Sequence, residues 1–177
     1  NIGYGTFFGT TRFEVKEVEY HSADIPKGFD GYRILQLSDI HIGSWRGNPE
    51  PIKHLVDLVN AQKPDLIVFT GDLVNQQSHE IDGFQEILAQ LHAPDGVYSI
   101  LGNHDYGNYY HWSSPEAEAQ NMVYLKGQQK AKGWKLLNNE HEVLHHQGDS
   151  IALIGVENDG EPPFSQFADL SKAMQGT

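Results

Sequence analysis

Apolar residues fall in short runs along this chain, separated by stretches of helical period. Residues 13–20 (FEVKEVEY) read as a strand, with Phe13 and Val15 on one face and Val18 and Tyr20 offset by a slip. Residues 33–38 (RILQLS) are a short apolar strand. Asn48 then stands where a helix N-cap belongs, with Pro49 at the first helical position. Ile52, Leu55, Val56 and Val59 follow at the spacing of one helix face, and that helix ends before Pro64. Residues 65–70 (DLIVFT) form a continuous apolar strand, and a second helix carries Ile81, Phe84, Leu88 and Leu91 as far as Pro94. Residues 96–101 (GVYSIL) give a third strand, and 106–115 (YGNYYHWSSP) have no clean period and read as a loop. A polar helix is predicted from about 116 to 132. Shorter strands over 134–137, 140–145 and 150–156 are joined by Asn138-Asn139 and by Gln147-Gly148-Asp149. The tail, 157–177, holds Pro162-Pro163 and a weak helical pattern.

Strand, helix, strand, helix, strand is the order of parallel pairing, because each crossover is long enough to hold a helix. The fold class is therefore α/β: a mainly parallel βαβαβ sheet with flanking helices. Each of its three strands ends in a polar cluster: Ser38-Asp39-Ile40-His41, Thr70-Gly71-Asp72, and Leu101-Gly102-Asn103-His104-Asp105. Asp39, Asp72 and Asn103 lie 33 and 31 residues apart, about one βαβ unit. A parallel sheet delivers such clusters to one edge, outside the carboxyl ends of its strands, where open α/β sheets place ligands. Two carboxylates, an imidazole and an amide oxygen make a mixed O/N donor set suited to Mn, Fe or Zn. Asp72, with two oxygens, could bridge two ions ~3.5–4 Å apart.

Charge sharpens this picture. Twelve basic against 24 acidic groups give a net charge of −12, and there is no basic run to meet a nucleic-acid backbone, so no nucleic acid is expected as partner. An acidic chain acts on phosphoesters most readily when bound ions supply the positive charge. The absence of cysteine excludes disulfides, thiolate metal sites and cysteine nucleophiles. No apolar run approaches the ~18 residues of a membrane span. The chain opens on Asn1, so an upstream targeting peptide or membrane anchor would fall outside it.

These motifs resemble the calcineurin-like metallophosphoesterases, whose Asp-x-His, Gly-Asp and Gly-Asn-His-Asp/Glu appear as Asp39-Ile40-His41, Gly71-Asp72 and Gly102-Asn103-His104-Asp105. Leu37 to Gly43 and Phe69 to Leu73 carry the likeness further, and Ile25 to Gly31 looks like the lead-in of a bacterial subgroup that often follows a membrane or export segment. The resemblance runs from about Phe13 to Asn158. It implies that Asp39 and His41 hold a first ion, Asp72 bridges, and Asn103 holds a second, the two being divalent or trivalent. It further implies that His104 protonates the leaving oxygen or stabilises the transition state, that Asp105 orients His104, and that a metal-held hydroxide attacks phosphorus. The same family supplies further histidines downstream, including Gly-His-x-His, and no such motif follows His104 here.

The resemblance thus makes residues 1–177 a single, truncated domain: a lead-in strand over 1–30, a metal-binding core over 31–105, and loop, helix and short strands over 106–177, the first half of that family's β-sandwich. The expected substrate is a phosphoester: a small molecule, a nucleotide-sugar or a lipid phosphate. Pairing of two chains through an exposed half-core is a further expectation, as is a membrane-attached or extracytoplasmic place. The competing reading is a non-catalytic binding or assembly module on the same scaffold, supported by the missing downstream ligands. His54, His79 and His92 are read as surface residues, and His145-His146 as solvent-facing hairpin residues. Residues 106–112 are read as either a substrate lid or local packing, with His111 sharing that choice. Gly3-x-Gly5 is discarded as a nucleotide loop, since it follows no strand and opens no helix.

Overall fold

The computed structural model describes residues 12–162 and 165–177; Gly3 and Gly5 lie outside them. Four strands, β1 (Ile34–Leu37), β2 (Leu66–Phe69), β3 (Val97–Ser99) and β4 (Lys135–Leu136), form one parallel sheet in sequential order. Ile34 pairs with Leu66, Ile67 with Val97 and Tyr98 with Lys135. β5 (Glu140–His146) and β6 (Asp149–Gly155) make an antiparallel hairpin of their own. Helix α1 (Glu50–Ala61) links β1 to β2, the single turn α2 (Gln85–Leu88) lies between β2 and β3, and α3 (Pro115–Ala131) precedes β4. A last turn, α4 (Leu170–Ala173), packs beside β5.

Side chains of successive strand residues point to opposite faces, and β2 uses both. Ile67 and Phe69 join the larger core with Ile52, Val56 and Val59 of α1, Leu88 of α2 and Leu125 of α3. Leu66 and Val68 face the other way, into a second core with Tyr98, Leu137 and the hairpin's Leu144, Ile151 and Leu153. The apolar run of β2 thus reflects burial between two layers, helices on one side and hairpin on the other. β1 is covered on one side only: Leu35 and Leu37 pack on the helical core, while Ile34 is 54% exposed.

Four sequence expectations are corrected. Residues 12–20 form no strand; they have no ladder partner, and Val18 is 89% exposed, so the lead-in is not a strand over its described part. The first helix begins at Glu50 with Pro49 at the cap, and no side chain of Asn48 caps it. The helix expected over 81–91 is split into a 3-10 turn, Ser78–Ile81, and α2, with Gly83 at φ +89° between them. Ile81, Phe84, Leu88 and Leu91 stay buried all the same. The strand predicted over 134–137, grouped in the sequence with the two short strands after it, does not pair with them; it is β4, the fourth parallel strand of the first sheet.

Candidate metal centre

The three polar clusters meet beyond the carboxyl ends of β1, β2 and β3, held together by backbone. Past the last ladder pair, Asp39 N–H donates to the Gly71 carbonyl (3.0 Å), His41 N–H to that of Asp72 (3.1 Å) and Ile42 N–H to that of Leu73 (2.9 Å). To do so Asp39, His41 and Asp72 take φ of +54°, +44° and +58°. Left-handed backbone costs a non-glycine residue ~1–3 kcal/mol, and it gathers at functional sites where the surroundings over-determine it. Gly71 and Gly102 let two of these loops touch. A Cβ on Gly71 would lie 2.6 Å from Gly102 Cα, and one on Gly102 would lie 2.6 Å from Asp72 N and still nearer its Oδ1.

Asp105 is the buried anchor. It is fully inaccessible, and its carboxylate accepts from the N–H groups of Asp72 (2.8 Å), Leu73 (2.9 Å), Val74 (3.2 Å) and Gly102 (3.0 Å). Burial pushes its pKa up to about 7, opposed by these donors, which favour the ionised form. Two of the three loops therefore hang on one carboxylate. The expectation that Asp105 orients His104 is corrected: the partner of His104 Nδ1 is the Asn75 carbonyl, at 2.7 Å. That carbonyl can only accept, so Nδ1 carries a proton and Nε2 is the nitrogen left for other partners. Asn75 is in turn fixed by Glu80, a buried carboxylate that takes the N–H groups of Asn75 (2.5 Å), Gln76 (3.1 Å) and Gln77 (3.3 Å). Neither Asn75 nor Glu80 stood out in the sequence. A backbone acceptor leaves no mark there, and Glu80 stands in a polar stretch just before the expected helix, with no period of its own.

One ligand atom each from His41, Asp72 and His104 lies within 4.8 Å of the others. His41 Nε2 is 3.8 Å from Asp72 Oδ2 and 3.7 Å from Asp39 Oδ1. These distances are too long for hydrogen bonds. They are near the spacing of roughly 3–3.5 Å between donors sharing one ion at bonds of ~2.1 Å. The other oxygen of Asp72 accepts from His104 N–H at 3.0 Å, which aims the carboxylate. Asp39 is more open than Asp72, and the Ser38 hydroxyl donates to it. Asn103 Nδ2 donates to the Tyr109 hydroxyl (2.8 Å), and the Tyr109 ring lies 4.4 Å from that of His104. The His41 and His104 rings meet edge to face at 4.7 Å. Imidazole nitrogens gathered with carboxylate oxygens at these spacings form a mixed N/O donor set that fits a divalent cation.

The later histidines lie elsewhere. His146 sits 3.9 Å from Asp95, which precedes β3, and so at the opposite end of the sheet, packed against Tyr32 at 5.0 Å. It is half-buried rather than solvent-facing. His141 Nδ1 meets the Ala173 carbonyl at 2.8 Å.

Comparison with known proteins agrees with this geometry. A family model described as calcineurin-like phosphoesterase matches residues 32–169. The metallophosphoesterase YkuE of Bacillus subtilis is 39% identical over 161 residues, covering 88% of this chain and 51% of that protein. A transmembrane protein with metallophosphoesterase domain from Danio rerio is 34% identical over 98% of this chain and 38% of its own length. The UDP-2,3-diacylglucosamine pyrophosphatase LpxG of Chlamydia trachomatis is 37% identical over 49% of this chain and 27% of that protein. The chain thus spans about half, or less, of the relatives it matches.

Proposed function

This chain belongs to the calcineurin-like phosphoesterase family, and from that premise we propose that its strand-end residues hold two metal ions for phosphoester hydrolysis. Asp39 and His41 would take one ion, Asp72 would bridge, and Asn103 would take the second through its amide oxygen. The observation that carries this reading is the approach of His41, Asp72 and His104 ligand atoms to within 4.8 Å in loops bent into left-handed backbone. Ions bound there supply positive charge for phosphoryl oxygens and lower the pKa of a coordinated water.

The chain's own part is orientation and proton transfer. The Asn75 carbonyl holds the His104 proton on Nδ1, so Nε2 faces the site. In its neutral form that nitrogen accepts a proton; once protonated it can donate one to a departing alkoxide or stabilise phosphoryl charge. Asp105 acts on the loops rather than on the imidazole, keeping Asp72 and Gly102 in register. The substrate we infer is a phosphoester or phosphoanhydride outside nucleic acid, since the net charge of −12 disfavours a polyanion. The likeness to a UDP-2,3-diacylglucosamine pyrophosphatase supports including lipid-linked nucleotide-sugars among the compounds to test. Among the described residues no helix is long and apolar enough to cross a membrane.

The test is Mn²⁺-dependent hydrolysis of bis(p-nitrophenyl) phosphate by the protein carrying this chain. His104→Ala is expected to lower the rate ~10²–10⁴-fold. Metal-dependent activity that survives both His104→Ala and Asp72→Ala would refute the assignment. A protein that binds metal yet hydrolyses none of a panel of monoesters, diesters and nucleotide-sugars would instead be a binding module on this scaffold.

A further inference from the structure

Asn103 poses a chemical problem that its own cluster does not solve. A side-chain amide has an acceptor end and a donor end, and only the oxygen can face a cation. An Asn free to rotate presents NH₂ as readily as oxygen, and an NH₂ turned inward repels an ion. Something must hold the amide by its nitrogen. Asp72 and His104 are held by Asp105 and by Asn75 respectively, but neither anchor reaches the Asn103 amide. Its described partner is the Tyr109 hydroxyl, which accepts from Nδ2 at 2.8 Å.

Tyr109 is free to serve this end because the loop that carries it is fixed by other residues. Trp112 Nε1 donates to the Gly107 carbonyl at 2.8 Å, and Tyr110 N–H donates to the same carbonyl at 3.1 Å. Asn108 Nδ2 reaches Ser165 Oγ at 2.8 Å, and the Tyr110 and Trp112 rings pack at 4.6 Å. Tyr106, at the loop's start, is tied to Glu157 and Asn158 through its hydroxyl, both at 3.3 Å. Tyr109 takes no part in these contacts. Its side chain turns back over the strand-end cluster, with the ring 4.4 Å from His104 and the hydroxyl on Asn103, and it remains 43% exposed.

We propose that Tyr109 is a positioning residue of the metal centre: its hydroxyl holds the Asn103 amide by Nδ2, leaving Oδ1 to the ion. A phenol suits that task. It is neutral, so it adds no charge that would draw the ion away from Asn103, and it is a good acceptor for an amide N–H. Partners that orient metal ligands in this way commonly alter affinity 10–100-fold when removed. Exposure of Tyr109 places the effect at the lower end, about 10-fold. The inference rests on the metal-centre reading above, but its direct observable, the orientation of Asn103, is measurable without metal.

The experiment compares wild type, Tyr109→Phe and Asp72→Ala in two measurements. Tyr109→Phe keeps the ring against His104 and removes only the acceptor, and its partial exposure means the fold should be retained. In metal-free protein the Asn103 side-chain amide signals of an amide-resolved NMR spectrum are expected to move in Tyr109→Phe toward those of a solvated amide. In calorimetric titration with Mn²⁺ alone, Tyr109→Phe is expected to bind about 10-fold more weakly than wild type, at an unchanged melting temperature. Unmoved Asn103 signals, or Mn²⁺ affinity within twofold of wild type, would overturn the proposal. Failure of the metal-centre reading looks different: wild type and Asp72→Ala would then be indistinguishable in the titration, while the Asn103 signals still report on Tyr109.

Discussion

Asp105 collects four backbone N–H donors in a fully inaccessible position, so it is the residue on which the strand-end loops depend. Replacing it with Ala orphans all four donors at once. Unsatisfied buried groups cost about 1–3 kcal/mol each, although not additively. Asp105→Ala is therefore expected to lower unfolding free energy by about 3–5 kcal/mol, read from the urea midpoint. A loss below about 1 kcal/mol would mean that water replaces the carboxylate and that the loops stand without it. At this scale the sequence showed which residues gather but not how each is held. The gathering of His41, Asp72 and His104 was legible because strand ends at βαβ spacing share an edge. The holding partners were not: the Asn75 carbonyl is backbone, and Glu80 and Tyr109 act through turns whose course no periodicity encodes.

At the scale of elements, apolar runs located β1, β2 and β3 to within a residue or two; for β2 and β3 this is because a strand buried on two faces has little choice of composition. The helix expected over 81–91 shows the limit of period alone. Its apolar face is real and buried, but Gly83 at φ +89° breaks the backbone while the side chains keep their places. The end of α3 yields a pH prediction. Lys132 is pressed against the fold there, and desolvation lowers its pKa from 10.5 to about 8, even though its Nζ reaches the Gln128 carbonyl. Below pH 8 the lysine is charged in both folded and unfolded states, and the cost of burying that charge is constant. Between about 8 and 10.5 the unfolded chain holds more protons, so stability gains with rising pH; above 10.5 the cost is gone. Lys132→Met should remove this slope and add about 1 kcal/mol at pH 7, a value discounted for the partial exposure of the side chain. Identical pH dependence of the melting temperature in both proteins would show that the ammonium remains hydrated.

At the scale of the whole molecule, a parallel sheet is held between helices and a hairpin, with the candidate centre at one end of its strands. The assignment of β4 to the parallel sheet was not readable, since a two-residue strand carries no pattern that distinguishes it from a hairpin arm. The hairpin's hold on the sheet rests on Leu144, Ile151 and Leu153 against Leu66, Tyr98 and Leu137. Leu144→Ala should cost about 2–5 kcal/mol in a urea melt. A negligible loss would show that the hairpin does not contribute to the core.

The central claim is that strand-end residues already present in these 177 residues form a metal site. It is tested most directly by calorimetric titration of Mn²⁺ into this chain and into its Asp72→Ala variant. The account predicts saturable binding to the wild-type chain that Asp72→Ala abolishes. Equal binding by both, or none by a folded wild-type chain, would contradict it.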